Sequence, residues 1–129
     1  MSPHGPRILL VDDDAHTKET LADMIQGEGW VFDVADTVEE ALAAVEDLDP
    51  EAIVLEPAAD GGKAVTLLVS LRRRAAWIPV LLHTDDPAYD AQYALEHGAS
   101  DVVRKAAGVE ALRAAIADVL TDEETDRPL

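Results

Sequence analysis

The chain has no cysteine, which excludes a disulfide framework, a thiolate metal site and a cysteine nucleophile, and fits a reducing compartment. Positive charge is scarce: 10 Lys and Arg stand against 27 Asp and Glu, a formal net charge of −17. Such a surface repels phosphate backbones and anionic lipid, so neither nucleic acid nor a membrane is an expected partner. No apolar run approaches membrane-spanning length, and the opening residues Met1-Ser2-Pro3-His4-Gly5-Pro6 lack the apolar stretch of a signal peptide. The expected location is therefore the cytoplasm. There is no internal repeat or low-complexity segment, and no helix-turn-helix or glycine-rich phosphate loop follows the last amphipathic stretch.

What is present is one domain's worth of ordinary globular sequence: 129 residues, 48% hydrophobic and 29% charged. Arg7-Ile8-Leu9-Leu10-Val11 is a short apolar run, too brief for a helix and typical of a strand buried on both faces. Leu21, Met24 and Ile25 recur at helical spacing over 16–27, and Gly27-Glu28-Gly29 ends them. A second strand is expected over 30–35. Thr37, with Glu40 three residues later, forms a capping-box pattern ahead of Ala41, Leu42 and Val45, and Asp49-Pro50 breaks that helix. Ala52-Ile53-Val54-Leu55 reads as a third buried strand, followed by the loop Pro57-Ala58-Ala59-Asp60-Gly61-Gly62. Val65, Leu68 and Leu71 mark a third helix closing on Arg72-Arg73-Arg74, cations suited to the negative end of a helix dipole. Val80-Leu81-Leu82-His83 is a fourth strand, 88–97 a short helix with Gly98 as its C-cap, and 101–104 a fifth strand. Leu112, Ile116 and Leu120 line a last helix.

Strands buried on both faces and alternating with helices predict an α/β fold, a doubly wound five-stranded parallel sheet. Right-handed crossovers favour the flavodoxin-like order 2-1-3-4-5. The expected organisation is a short extension over 1–6, the domain over 7–120, and an acidic, frayed tail or linker over 121–129. Ligands in such sheets sit beyond the C-terminal strand edge, near the switch point between strands one and three.

At that edge stand Asp12-Asp13-Asp14 after strand one, Glu56 after strand three, Thr84 after strand four and Lys105 after strand five. Adjacent carboxylates behind a buried strand are costly unless something cationic sits there. Asp12 and Asp13 are the candidates for a hard-cation site, and Asp14 for the N-cap of the first helix. Other residues take plainer readings. His83 is expected to be a buried, satisfied histidine and not a base, since no second histidine is near it in sequence. Tyr89 and Tyr93, four apart, share a helix face and either pack on the sheet or anchor a partner. The arginine run reads as a dipole and solubility feature, and Trp30 and Trp77 as core or rim aromatics.

Three stretches carry a resemblance to a known family. Ile8-Leu9-Leu10-Val11-Asp12-Asp13-Asp14 resembles the first strand and acidic pair of response-regulator receiver domains. Ile78-Pro79-Val80-Leu81-Leu82-His83-Thr84 is similar to their fourth strand with its hydroxyl residue, and Gly98-Ala99-Ser100-Asp101-Val102-Val103-Arg104-Lys105 to the stretch that delivers their lysine. The likeness covers residues 7–120. It implies two-component or phosphorelay signalling, in which the acidic pair and an aspartate after strand three hold Mg²⁺. That aspartate takes a phosphoryl group from a histidine kinase, and the lysine and hydroxyl read it. The metal set implied here is Asp12, Asp13 and Glu56, with Thr84 and Lys105 as the phosphate-reading pair. The signal then passes to the face formed by the fourth helix, fifth strand and fifth helix.

The departures matter more. The phosphoacceptor position falls on Glu56, whose extra methylene moves the carboxylate outward by roughly 1.5 Å, and misplacements near 1 Å cost on the order of a hundredfold in a positioned reaction. The aromatic switch position in strand five is Val102, and the proline that follows the lysine in the family is Ala106, which predicts a trans peptide and a differently shaped turn. The expectation is an atypical, pseudo-receiver domain with no enzymatic activity and weak or absent Mg²⁺ binding. It meets a kinase, effector or adaptor, or a second copy of itself, through the fourth-helix face. Glu56 either mimics the phosphorylated state or simply pairs with Lys105. A working Mg²⁺-dependent phosphoacceptor, at Glu56 or at a neighbour such as Asp13, is the alternative. A metal-dependent phosphatase is a remote one: Asp12-x-Asp14 resembles the haloacid-dehalogenase nucleophile motif, but His16 stands where that motif wants Thr or Val.

Overall fold

The computed structural model describes residues 5–74 and 78–126, with the side chains of 24–27 and 122–126 excepted. The expected inward stripe at Met24 and Ile25, and Trp77, lie outside the described side chains. The strands are β1 (Arg7–Val11), β2 (Val31–Ala35), β3 (Ala52–Leu55), β4 (Val80–His83) and β5 (Asp101–Val103), and the helices α1 (Ala15–Glu28), α2 (Val38–Leu48), α3 (Thr66–Arg73), α4 (Ala91–His97) and α5 (Val109–Asp126). All neighbouring strands are parallel, in the order β2-β1-β3-β4-β5. This is the doubly wound, flavodoxin-like architecture that the alternating pattern predicts.

Two apolar layers follow from the period of a strand, in which successive side chains leave opposite faces. Leu9, Val11, Ile53, Leu55, Val80 and Leu82 join Ala41 of α2 and Leu67, Leu68 and Leu71 of α3 on one side. Ile8, Leu10, Val54, Leu81 and Val103 join Leu21 of α1 and Leu112, Ile116 and Val119 of α5 on the other. The three central strands are buried at nearly every residue, as a parallel sheet covered on both faces requires. Trp30 is buried at the start of the second layer, edge-on to Phe32.

The helix ends differ from the sequence reading in informative ways. Thr37 caps α2 by accepting from Glu40 N–H at 3.1 Å, but Glu40 returns its carboxylate to the N–H of Asp36, one residue earlier than a capping box would place it. Helix α4 begins at Ala91, not 88, because Asp90 accepts the N–H of Tyr93 at 2.9 Å and fixes the first turn there. Gly98 ends it with φ +80, as expected of a left-handed C-cap. Asp60, Gly61 and Gly62 carry three successive positive φ values in a 3-10 turn ahead of α3. Helix α5 continues to Asp126, six residues into the stretch expected to be a frayed tail. Strand β5 stops at Val103, so Arg104 and Lys105 belong to the turn beyond it.

Candidate functional site

The C-terminal edge of the sheet gathers one cation and two acids. Lys105, in the turn after β5, places Nζ 3.0 Å from Asp12 Oδ2 and 3.0 Å from Glu56 Oε1. Thr17, in the first turn of α1, offers its hydroxyl at 3.4 Å. Asp12 is only 1% exposed, so its carboxylate is a buried charge that needs a partner. It has two: Lys105 on Oδ2, and the N–H of Asp14 on Oδ1 at 2.9 Å. Burial pulls the Lys105 ammonium toward losing its proton, but its bonds to Asp12 and Glu56 outweigh that and hold its pKa above the ordinary lysine value.

Glu56 has both oxygens engaged, Oε1 by Lys105 and Oε2 by the N–H of Ala58 at 3.3 Å. Asp13 turns away from this cluster: it is exposed, and its Oδ2 accepts the N–H of Asp60 at 3.2 Å. Asp60 in turn accepts the N–H of Val38, tying the loop after β3 to the start of α2. Asp14 accepts the N–H of His16 at 2.9 Å, the N-cap role expected of it, and that bond holds its carboxyl below the usual range. Of the three acids assigned to a metal, Asp12 and Glu56 meet at Lys105, while Asp13 bonds the loop after β3. Among the described residues no group of three or more His, Asp or Glu side chains is arranged to hold a metal ion. The Lys105 ammonium lies within 3.0 Å of both Asp12 and Glu56.

Thr84 is buried but does not reach the pocket through any described hydrogen bond; its hydroxyl accepts the N–H of Asp86 at 3.1 Å. Val102 is partly buried against the layer of α2 and α3. Ala106 donates its N–H to Asp85 Oδ1 at 2.9 Å, and no described peptide bond is cis. His83 is buried as expected, and among the described residues its Nδ1 has no hydrogen-bond partner. Desolvation first, and then the charge of Lys105, push its pKa down to about 4, so the ring is neutral at pH 7. Tyr89 lies in the turn before α4 and meets Tyr93 edge-on at 4.9 Å, both packed against the sheet.

The arginine run is corrected too. Arg72 is partly buried and donates to the carbonyl of Gly98 at 2.7 Å and to that of Ile78 at 3.3 Å, joining α3 to the end of α4 and the approach to β4. Arg74 pairs with Glu46 of α2. Sequence reasoning passed over Thr17, Asp85 and Arg104. One signal was available for Asp85: an alanine after Lys105 supplies an N–H that proline would not, and a donor at a strand edge needs an acceptor.

Comparison with known proteins agrees with this fold. Residues 8–117 match the family described as the response regulator receiver domain. This chain belongs to that family. It is similar to the DNA-binding response regulator MtrA of Mycobacterium tuberculosis, at 33% identity over 99 residues, 77% of this chain and 43% of that protein. The transcriptional regulatory protein TcrA of the same organism is 34% identical over 102 residues, 78% of this chain and 40% of its own length. The chain thus spans less than half the length of these curated relatives. Among solved structures, the signal receiver domain of a LuxO repressor protein from Vibrio parahaemolyticus superposes with a TM-score of 0.85 at 19% identity over 94% of both chains. A response regulator from Chloroflexus aurantiacus gives 0.78 at 26% identity, covering 91% of this chain and 99% of its own. The domain is a receiver of two-component signalling, and among the described residues no helix is long and apolar enough to cross a membrane.

Proposed function

We propose that this receiver is an atypical one, with Glu56 in place of the phosphoacceptor, and that it signals by docking a protein partner without being phosphorylated and without catalysing a reaction. The observation that carries this reading is the ammonium of Lys105, 3.0 Å from both Asp12 and Glu56. A phosphoacceptor must offer a free carboxylate oxygen in line with the donor. Here one Glu56 oxygen is held by Lys105 and the other by a backbone N–H. An internal cation already offsets one of the two negative charges, which weakens their attraction for Mg²⁺. The acidic surface of −17 argues against this domain touching nucleic acid itself, whatever its DNA-binding relatives do with their remaining length. The partner surface is the face of α4, β5 and α5. Leu95 of α4, 83% exposed, supports it as an apolar contact. A second copy of the chain is the other occupant this face would take.

The exposed Asp13, one residue beyond Asp12, favours the alternative of a working phosphoacceptor. Incubation with Mg²⁺ and a small phosphodonor, read by intact mass, separates the two. The wild type is expected to gain no adduct, and Glu56→Asp, which shortens the side chain, is expected to gain one. A lasting adduct on the wild type that altered its affinity for a captured partner would overturn the proposal, and steady turnover of the donor would point to a phosphatase. Equal partner affinity for the wild type, Glu56→Asp and Glu56→Gln would leave Glu56 as a simple mate for Lys105 and not a mimic of phosphate.

A further inference from the structure

The loop between β4 and α4, residues 84–90, has no regular element of its own, yet it is fastened at four points to a single neighbour. Arg104, the first residue past β5, donates from Nη1 to the carbonyls of Asp86 at 2.7 Å and Thr84 at 3.3 Å, and from Nη2 to the carbonyl of Tyr89 at 2.9 Å. In the opposite direction, Asp85 Oδ1 accepts the N–H of Ala106 at 2.9 Å. Arg104 and Ala106 flank Lys105 in the chain, so every one of these ties ends beside the residue that fills the pocket.

The chemistry favours rigidity. A guanidinium is a planar fork whose donors hold fixed directions, and three carbonyls around one fork set the curvature of the loop. Bonds with one ionised partner are about twice as strong as neutral ones, and all four are of that kind. Beyond the loop the connection continues: Asp90 caps α4, and the ring of Tyr89 rests edge-on against Tyr93 in the first turn of that helix. The Thr84 hydroxyl, by contrast, is occupied within the loop by the N–H of Asp86.

We propose that Arg104 and Asp85 lock the β4–α4 loop to the Lys105 turn as one body, so that a change at Glu56 reaches the start of α4 through these two side chains. Displacing Lys105 moves its two neighbours, and each neighbour carries the loop with it.

Amide chemical shifts of ¹⁵N-labelled protein test the lock. Glu56→Gln is expected to shift the amides of Asp14 and Ala58 near the pocket, and also those of residues 86–94. In an Arg104→Gln, Asp85→Ala background the same substitution should still move Asp14 and Ala58 but displace residues 86–94 at least about threefold less. Undiminished displacement there, or none in the wild-type background, would overturn the proposal. Arg104→Lys, which keeps the charge and reaches fewer carbonyls, serves if Arg104→Gln does not fold. Separately, Asp85→Ala should speed hydrogen exchange at Ala106 by about tenfold; an unchanged rate would show that the fourth tie is idle. Neither measurement involves a partner or a phosphodonor, so the lock and the docking reading stand or fall apart from each other.

Discussion

At the scale of single residues, the added methylene of Glu56 is used in two directions, one oxygen reaching Lys105 and the other folding back to its own loop. Which residues would matter at this edge was legible in the sequence, because Asp12 and Glu56 each directly follow the last apolar residue of a strand and Lys105 comes two residues after that of β5. How they would combine was not. The path of the turn after β5 decides which carboxylates Lys105 reaches, and periodicity does not contain it. His83 carries a further consequence. Its folded-state pKa of about 4 lies below the ordinary 6.5. The unfolded chain therefore takes up a proton below about pH 6.5 that the folded one refuses until about pH 4, and stability falls as pH drops through that window. The loss approaches roughly 3 kcal/mol at its lower end. Urea unfolding of the wild type and His83→Leu should show their free-energy difference changing by that amount between pH 7 and pH 4. Two curves that stayed parallel would show that the ring titrates normally.

At the scale of elements, the helix and strand identities followed from periodicity, while their ends followed from side-chain bonds that periodicity does not contain. Asp90 moves the start of α4 past Tyr89, and so sets that tyrosine in the turn where Arg104 can hold its carbonyl. Arg72 is the clearest case of an element-level role hidden by composition, since a run of arginines at a helix end looks like solvated charge. Burial lowers its pKa, and its guanidinium binds the carbonyls of Gly98 and Ile78, one at the end of α4 and the other before β4. Arg72→Met keeps most of the apolar stem but strands both carbonyls, and should destabilise the domain by about 1–3 kcal/mol in denaturant unfolding. A loss under a few tenths would mean that water replaces the guanidinium without cost.

At the scale of the whole molecule, the two-layer core was readable because adjacent apolar residues in a strand must serve opposite faces, and both faces here are apolar. The surface charge was readable as a number but not as a placement. With a net charge of −17, self-repulsion opposes compaction, and its range shrinks from about 30 Å at 0.01 M salt to about 10 Å at 0.1 M. Raising sodium chloride from the lower to the higher concentration should therefore raise Tm by about 4 °C, on the order of 1 kcal/mol for a domain of this size. A Tm that fell would show that local pairs such as Lys18 with Asp36 and Arg113 with Glu28 outweigh the net repulsion.

The bond from Lys105 to Asp12 joins residues 93 positions apart, and that separation dictates an order of events during synthesis. Strand β1 leaves the ribosome before Lys105 does, carrying at its tip an acid that ends up 1% exposed, while its counter-ion has yet to be made. A nascent chain halted anywhere before residue 105 has to keep that tip wet, so the making of the turn after β5 licenses the first strand to enter the interior.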